Sequence, residues 1–217
     1  LNNDVIVTPG FLEPLVEKCE SDSTVGVVSP KIRFYYEPGM LQYAGFYPIH
    51  PITMRTSAIG YRQYDRGQYD QETQTAFCHG AAMFVPMEVI KEVGMMSYIW
   101  FLYYEEADWC VRIKKAGYTI WYIPRSIVYH KESVSTGKES PLKIYYQSRN
   151  RMVYLRRNVH GIRFLLALIY QLFVAIPKNA GTHLIKGKYR FFYAYMKALG
   201  WNLKNAFNKE VHENPSL

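Results

Sequence analysis

The sequence predicts an α/β domain over residues 1–140, followed by an α-helical region over residues 141–217. In the first part, short apolar segments of strand length alternate with segments of helical period, whereas the second part shows only long helical patterns. The charge also changes between the two parts. Residues 1–140 carry 13 basic and 16 acidic side chains, a net charge of −3, but residues 141–217 carry 13 basic and 2 acidic side chains, a net charge of +11. We therefore expect two parts with different partners.

The composition argues against several kinds of protein. Of the 217 residues, 49% are hydrophobic and 20% are charged, which is too apolar for a disordered chain and sufficient for one sizeable core. The three cysteines, Cys19, Cys78 and Cys110, are odd in number and lack the spacing of a zinc site. They argue against a disulfide framework and favour a reducing, cytosolic compartment.

No segment has the pattern of a signal sequence or of a membrane span. The chain starts without a basic and then apolar stretch. The most apolar run, residues 164–176, has 13 residues, whereas a helix that crosses a bilayer needs about 20. We therefore expect this run not to cross a membrane by itself.

Local signals predict the elements of the first part. Pro86 and Gly94 mark the start and end of a short helix, and Gly117 caps a second helix with acids in its first turn and bases in its last. Residues 35–75 have no sustained period, which predicts functional loops with one short hairpin. The predicted elements are helix 11–20, strand 25–28, strand 81–85, helix 87–93, helix 105–116, and strands 118–123 and 126–130.

The second part contains three predicted helices. They cover about residues 142–159, 162–176 and 184–207. Gly161, Pro177 and Gly181 separate them, because glycine and proline interrupt helices.

A polar triplet opens the chain. Asn2, Asn3 and Asp4 precede the apolar residues 5–7. One interpretation is a polar turn, since Asn and Asp favour turns through local hydrogen bonds. The other is a metal–diphosphate site, because a hard divalent cation prefers carboxylate and carbonyl oxygens.

Three carboxylates lie in the first turn of the helix predicted over residues 105–116. Glu105, Glu106 and Asp108 follow an aromatic run at residues 100–104. One acid would suffice to complement the helix dipole. Three mutually repelling acids beside an aromatic wall raise the proton affinity of at least one of them, which suits a general base. Both interpretations stay open on these residues alone.

Two histidines carry weaker signals. His130 ends an apolar strand, and a lone histidine there is more often a surface or hydrogen-bonded residue than a ligand. His79 precedes Gly80, which indicates only that something approaches the backbone closely.

The basic residues of the second part are interleaved with aromatic and apolar ones. A solvated basic face is the simplest interpretation. Aromatic residues flanked by Lys and Arg also fit helices that lie on an anionic leaflet, and together with the apolar run this interpretation is preferable. The residues concerned include Arg149, Arg151, Arg156, Arg157, Lys186, Lys188 and Arg190.

The segment from His79 to His130 resembles the second half of family-2 inverting glycosyltransferases, in the branch of bacterial rhamnosyltransferases and cell-wall polysaccharide enzymes. The shared pattern is Gly-Ala before a strand, a short helix ending in Gly, an aromatic stretch into an acidic helix, Ala-Gly-Tyr, two strands around a proline, and a closing His. The resemblance covers about residues 1–160. It also includes the opening Leu-Asn-Asn-Asp, similar to the family's metal motif, and Tyr145-Tyr146 with Arg149-Asn150, similar to a signature after the catalytic domain.

The resemblance implies a partial GT-A fold, of which this chain is the C-terminal portion, without most of the nucleotide-binding half and therefore inactive by itself. It implies that Asp4, with Asn2 and Asn3 beside it, and His130 bind a divalent metal, Mg²⁺ or Mn²⁺. Glu106 would be the general base, with Glu105 and Asp108 in supporting catalytic roles. Many relatives carry Asp at the position of Glu106, and the extra methylene moves the carboxylate by about 1.5 Å. The residues expected to bind donor or acceptor are Asn3, His79, Gly80, Ala81, Trp109, Arg112, Arg149 and Asn150.

The function so implied is transfer of a sugar from a nucleotide-diphosphate sugar to a glycan or lipid-linked acceptor in cell-surface polysaccharide biosynthesis. We expect a cytoplasmic protein, peripheral at the inner face of the cell membrane, that contacts an anionic membrane surface and self-associates through an exposed sheet edge. Nucleic acid is not an expected partner, because no DNA- or RNA-binding motif is present. Two alternatives are a non-catalytic membrane-binding module with a degenerate transferase remnant, and a structural helix that packs on another subunit.

Overall fold

The fold is organised around two long parallel strands in a mixed β-sheet. A computed structural model describes residues 1–131 and 140–208. The long strands pair from Val25 with Thr119 to Phe34 with His130. The short strands all pair antiparallel, the first and fourth with the fifth strand and the third with the second. The strands are β1 (Val5–Val7), β2 (Val25–Phe34), β3 (Leu41–Tyr43), β4 (Thr73–Gln74) and β5 (Thr119–His130).

Strands β2 and β5 are longer than the sequence predicted, because neither ends at its proline. Pro30 lies within β2 and Pro124 within β5. The register shifts between the pairs Pro30–Ile123 and Lys31–Ile127, so β5 bulges at residues 124–126, where Pro124 offers no N–H to the ladder. The two strands predicted over residues 118–130 are therefore one. The strand predicted at residues 81–85 is wrong, since the segment makes only a single bridge between Phe84 and Val28.

Three helices flank the sheet in the first part of the chain. Helix α1 (Glu13–Ser21) carries Pro14 in its first turn, where the missing N–H has no cost. Helix α2 (Met87–Val93) has the predicted bounds, and the N–H of Gly94 closes it by donating to the Ile90 carbonyl. Helix α3 (Glu105–Lys115) ends one residue before the prediction.

The second part of the chain is helical, as predicted, but its helices are divided differently. Helix α4 (Pro141–Asn158) is capped by Ser140, whose hydroxyl accepts from the Lys143 N–H. Helix α5 (Gly161–Tyr170), a π-helical turn (Gln171–Ala175) and helix α6 (Ile176–Ile185) then form one continuous rod. Helix α7 (Tyr189–Lys204) completes the described fold.

The predicted break at Pro177 does not occur. Pro177 is the second residue of α6, the helix that directly follows the π-helical turn. A π turn widens the backbone and shifts its hydrogen bonds, so the proline ring fits where a regular helix would clash. The rod from Gly161 to Ile185 has 25 residues and is therefore about 37 Å long.

This rod corrects the conclusion that the apolar run is too short to cross a membrane. Within the described residues, Gly161–Ile185 is the one helix whose length and apolar composition satisfy the requirement for a membrane span. Only 17% of its most apolar stretch is buried, so the rod is unlike a core helix of a soluble protein. Length and composition alone do not show that it crosses a membrane.

The main hydrophobic core draws on both predicted parts. Trp100 and Ile113 from the first part and Val153 and Leu155 from α4 belong to one buried cluster, which Ala167 of α5 also joins. Helix α4 therefore packs directly on the sheet domain. The division at residue 140 remains a prediction about domains, with a core that is shared across it.

Candidate active site

Asp4 and His130 lie side by side at one end of the sheet. Val5 pairs with His130 in the β1–β5 ladder, and the Lys131 N–H donates to the Asp4 carbonyl at 3.0 Å. This register places Asp4 Oδ1 3.2 Å from His130 Nε2. Asp4 Oδ1 is buried and has no hydrogen-bond partner among the described residues. A buried carboxylate oxygen and an imidazole nitrogen thus face the same point.

Gln42 fixes the orientation of the His130 ring from behind. Its Oε1 lies 2.8 Å from His130 Nδ1, and an amide oxygen only accepts. Nδ1 therefore carries the proton in the neutral ring, which leaves the lone pair of Nε2 directed toward Asp4. Gln42 is buried on β3 between two apolar residues. A histidine held in this way is typical of metal ligands.

His79 extends this cluster. Its ring packs edge-on against His130, with centroids 5.8 Å apart, and its Nδ1 accepts from the Ala81 N–H at 3.1 Å. Burial and the nearby His130 lower the pKa of His79 to about 4, so the ring is neutral at pH 7. Nε2 then carries the proton and is available as a donor. The Asn2 N–H donates to the Ala81 carbonyl at 2.9 Å, which joins the opening triplet to the segment that holds His79.

The carboxyl group of Glu106 lies close to the backbone of Gly80, the residue after His79. A methyl group placed on the Gly80 Cα would be 3.8 Å from the carboxyl carbon of Glu106, which is ordinary van der Waals contact. Glu106 Oε2 is buried without a hydrogen-bond partner among the described residues. Burial, reinforced by Glu105, raises the pKa of Glu106 to about 8. A carboxylate with this proton affinity is suited to accept a proton near neutral pH.

Glu105 shares this environment. Burial raises its pKa as well, and its Oε2 also lacks a described hydrogen-bond partner. The Tyr103 hydroxyl has a raised pKa through burial and then through Glu105 and Glu106, so its proton stays in place at neutral pH. Two adjacent carboxyl groups in one shielded site disfavour double ionisation, which is one physical reason for the high proton affinity of Glu106.

The loop that leads into α3 has an unusual backbone. Phe101, Tyr103 and Tyr104 all have positive φ, at 58°, 68° and 74°. For residues with side chains this conformation is unfavourable and persists only when its surroundings hold it. The loop ends directly at Glu105, so its conformation determines where the acidic turn of α3 lies.

Arg149 and Asn150 of α4 hold this loop. Asn150 Nδ2 donates to the carbonyl oxygens of Trp100, Leu102 and Tyr103 at 2.9, 2.7 and 2.8 Å. Arg149 Nη2 donates to the Trp100 carbonyl at 2.9 Å and also to the Ile99 carbonyl. Both side chains are buried. The predicted direct binding of donor or acceptor by Arg149 and Asn150 is therefore replaced by a positioning role.

A cavity of about 430 Å³ opens beside Glu106. Aromatic side chains form its walls, and two arginines, Arg55 and Arg151, contribute positive charge. Neither Asp4 nor His130 lines it. The lining residues are Phe46, Ile49, Met54, Arg55, Thr56, Phe77, Tyr103, Tyr104, Glu106, Ala107, Gln147 and Arg151.

Asp108 lies apart from this cavity. Its Oδ1 accepts from Asn158 Nδ2 at 2.9 Å and lies 3.5 Å from Arg157 Nε, while its Oδ2 lies 3.3 Å from Trp100 Nε1 and 3.6 Å from Arg112 Nε. The side chain is 1% exposed. Both carboxylate oxygens are thus engaged inside the protein. We revise its expected role near acceptor or metal to that of a buried counter-ion between α3 and α4.

The side chains of Trp109 and Arg112 also form their hydrogen bonds inside the protein. Trp109 Nε1 donates to the Gly94 carbonyl at 2.8 Å, and Arg112 donates to the carbonyls of Val93 and Met95 at 2.8 and 2.6 Å. These bonds tie the end of α2 to α3. Both side chains are buried, so the expectation that they bind donor or acceptor is not supported by their contacts.

The fit of a divalent cation can be judged from the donors present. In residues 1–131 and 140–208, no three or more His, Cys, Asp and Glu side chains are grouped so that they could hold a metal ion. Asp4 and His130 provide two donors, 3.2 Å apart, one of them an unpartnered carboxylate oxygen. Adjacent ligands of one ion, each at about 2.1 Å, lie about 3 Å apart. The pair fits a cation that takes its remaining ligands from substrate and water.

Comparison with known proteins identifies the family. A family model described as "Glycosyltransferase like family 2" matches residues 1–154. The chain belongs to glycosyltransferase family 2. The resemblance seen in the sequence is thereby confirmed, and it extends through most of α4.

Two curated relatives of this family-2 chain are transferases by name. The N-acetylglucosaminyl-diphospho-decaprenol L-rhamnosyltransferase of Mycobacterium tuberculosis is 25% identical over 169 residues, which cover 71% of this chain and 53% of the relative. The low-salt glycan biosynthesis hexosyltransferase Agl10 of Haloferax volcanii is 29% identical over 76 residues, which cover 35% of this chain and 25% of the relative. The chain thus spans about half the length of the first of these proteins and less of the second.

A solved structure shows the same fold. The crystal structure of GalNAc-T7 with UDP, GalNAc and Mn²⁺ matches with a TM-score of 0.50 at 16% sequence identity, and covers 79% of this chain and 38% of that one. The mixed α/β sheet of the family-2 chain is therefore a GT-A fold, as expected. Its membrane-associating helical region is not established by the similarity.

Some residues of the site carry no signal in the sequence. Gln42 lies 88 positions before His130, and its place in a three-residue strand gives no signal of its own. Arg55 lies in the irregular segment 35–75, where no period exists to place it. For Arg151 the sequence indicates only a basic helix face. A helical count from Gln147 to Arg151 would have put these two on one face of α4.

Proposed function

We propose that this chain is the metal-binding and acceptor-binding part of an inverting glycosyltransferase. It would transfer a sugar from a nucleotide-diphosphate sugar to a glycan or lipid-linked acceptor in cell-surface polysaccharide biosynthesis. The observation that carries the proposal is a continuous series of contacts, from Asp4 to His130 and on to His79, whose neighbour Gly80 lies against Glu106. The series of contacts supports the proposal because it joins the two proposed metal ligands to the segment that lies against the proposed base.

Asp4 and His130 would hold the divalent cation, Mg²⁺ or Mn²⁺. The cation supplies charge stabilisation for the diphosphate that leaves the donor sugar. Gln42 fixes the orientation of the His130 ring through Nδ1, so that Nε2 would face the cation. His79, neutral at pH 7, presents its Nε2–H in the same region and would donate a hydrogen bond to donor or acceptor oxygens.

Glu106 would remove the proton from the acceptor hydroxyl. The oxygen then attacks the anomeric carbon from the face opposite the nucleotide, which inverts the configuration. Its proton affinity suits this role, because a base with a pKa near the working pH combines a reactive form with a strong pull on the proton. Glu105 would strengthen that pull, and the arginine-lined cavity beside Glu106 would receive the acceptor.

The proposed location is the inner face of the cell membrane, from the cytoplasmic side. The apolar rod Gly161–Ile185 supports this placement, since Ile169, Leu172 and Phe173 are 46%, 47% and 75% exposed. Basic residues lie before it and after it, as expected of helices at an anionic surface. By its name, the M. tuberculosis relative acts on a lipid-linked diphosphate, which is consistent with a membrane site.

The test is a Glu106→Gln variant of the full-length protein. Replacing a general base that contributes about 10²–10⁴-fold should lower the turnover number by that factor. The dissociation constant of the donor, measured by calorimetry, should stay within about twofold of wild type, because Glu106 is not one of the two proposed metal ligands. Glu88→Gln, an exposed acid in the first turn of α2, is the matched control. A Glu106→Gln variant with wild-type turnover would remove Glu106 from the mechanism.

A further inference from the structure

The cavity beside Glu106 contains more positive charge than the proposed reaction needs. Arg55 and Arg151 line it, and Glu106 is the one carboxylate among its lining residues. Neither arginine forms an ion pair with any carboxylate of residues 1–131 and 140–208. At a pH where Glu106 is protonated, two guanidinium groups therefore face the cavity with no described carboxylate paired to them.

Arg151 is the more constrained of the two. Its Nε is buried and has no hydrogen-bond partner among the described residues. A buried N–H without an acceptor is unfavourable, so the guanidinium of Arg151, which lines the cavity, has hydrogen-bonding capacity that the described residues do not use. Gln147, one turn earlier on α4, lines the same space and adds a neutral amide.

Arg55 lies on a different element from Arg151. It is exposed in the loop segment after β3, next to Thr56, which also lines the cavity. Donors from α4 and from this loop thus share one space with the aromatic walls Tyr103 and Tyr104. Guanidinium groups match phosphate oxygens in geometry and charge, often with two parallel hydrogen bonds.

We propose that this cavity binds an acceptor sugar that carries a phosphate or diphosphate group. Arg151 and Arg55 hold the anionic group, the aromatic walls contact the sugar ring, and one hydroxyl faces Glu106. The inference deepens the proposed function and rests on it for the role of Glu106. The donor diphosphate is a different ligand, because it is assigned to Asp4 and His130, which do not line the cavity.

The experiment measures binding without turnover. Inorganic pyrophosphate is titrated into the full-length protein by calorimetry in the presence of EDTA, so that no metal-dependent site takes it. We expect binding to wild type, and an affinity about tenfold lower in Arg151→Gln and in Arg55→Gln, since one charge-assisted contact is worth roughly that factor. The matched control is Arg66→Gln, an exposed arginine outside the cavity, which should bind as wild type.

Two further arms distinguish the source of the phosphate. Decyl diphosphate should bind more tightly than pyrophosphate if the acceptor is lipid-linked, and equally if it is a free sugar phosphate. Neutral decyl glucoside should show no dependence on either arginine. If neither arginine substitution weakens pyrophosphate binding, or if no pyrophosphate binds, the inference is overturned.

Failure of this inference is separable from failure of the proposed function. Glu106→Gln removes the proposed base but no arginine, so it should bind pyrophosphate at least as well as wild type. If pyrophosphate binding depends on the arginines but the protein has no transferase activity, the anion site is supported and the proposed reaction is wrong. If the protein has transferase activity but its pyrophosphate binding does not depend on the arginines, the reaction is supported and the anion site is wrong. Since Arg55 is exposed, its variant remains informative even if Arg151→Gln folds poorly.

Discussion

The side-chain amide of Asn150 donates a hydrogen bond of 2.8 Å to the carbonyl of Tyr103, two residues before the first acid of α3. The same amide also bonds the carbonyls of Trp100 and Leu102. One side chain on α4 thus restrains the strained loop that places Glu106. The Arg-Asn pair of α4, which lies within the region matched to family 2, thus supports the turn that carries the proposed base.

Replacement of Asn150 should affect stability and activity together. Asn150→Ala leaves buried carbonyls without a donor, which should lower the free energy of unfolding by about 1–3 kcal/mol. Because the loop at Tyr103 and Tyr104 then relaxes from positive φ, the turnover number should fall at least tenfold while donor affinity is kept. Denaturant unfolding and steady-state kinetics measure the two effects.

Asn158→Ala is the matched control for this change. Asn158 also donates from α4, but to Asp108 and not to the loop. It should lose stability and keep turnover. If both variants lose turnover equally at a temperature where both are folded, the effect of Asn150 on turnover does not act through the loop at Tyr103 and Tyr104.

Gln42 should matter for metal affinity although it cannot reach the metal itself. In Gln42→Leu the His130 Nδ1 loses its acceptor, the ring turns and changes tautomer freely, and affinity for Mn²⁺ should fall about 10–100-fold. Electron paramagnetic resonance of free Mn²⁺, recorded with nucleoside diphosphate present, reports this directly. Gln42→Glu, which keeps an acceptor, should recover most of the affinity. If the affinity of Gln42→Leu for Mn²⁺ is unchanged, His130 is not a ligand of the metal.

The pH dependence of turnover should follow the proton on Glu106. Its pKa is raised from 4.5 to about 8, and the reactive form is the deprotonated one. The turnover number should therefore rise with pH through neutrality and level off above about pH 8. Glu105→Gln removes the second cause of the shift, so the midpoint should move to lower pH. A profile that is flat between pH 6 and 9, with chemistry rate-limiting, would argue against Glu106 as the base.

The exposed apolar face of the rod Gly161–Ile185 should contribute to membrane binding. Simultaneous change of Ile169, Leu172 and Phe173 to Ser should reduce co-flotation of the full-length protein with vesicles that contain anionic lipid. The control is Met87→Ser with Met95→Ser, since these residues are 58% and 61% exposed on the sheet domain. Equal flotation of both variants would leave the rod without a membrane role.

The sequence predicted elements that are set by local chemistry. Helices α2 and α3 have the predicted position because Pro86, Gly94 and the charged turns act within a few residues. The predictions failed where distant contacts decide. Strand β5 continues past Pro124 because residues 124–126 bulge out of its ladder with β2, and the rod continues past Pro177 because a π turn precedes it.

In the candidate site, too, local patterns predicted some features and distant contacts decided the others. Asp4, Glu106 and His130 were identified through the family resemblance, and the structure adds the register that puts Asp4 beside His130. Composition and spacing alone do not distinguish Glu106 from Asp108, because both lie in the first turn of α3. Their environments differ through residues about 50 positions away, since Arg157 and Asn158 of α4 engage Asp108 and leave Glu106 facing the cavity.

The most direct test of the central claim is an anomalous difference map from crystals of the full-length protein soaked with Mn²⁺ and a nucleoside diphosphate. We predict one strong peak, within about 2.0–2.3 Å of both an Asp4 carboxylate oxygen and His130 Nε2, with the diphosphate on the side of the ion that faces Glu106. A peak bound elsewhere in the protein, with no ion between the Asp4 carboxylate and His130 Nε2, would contradict this claim.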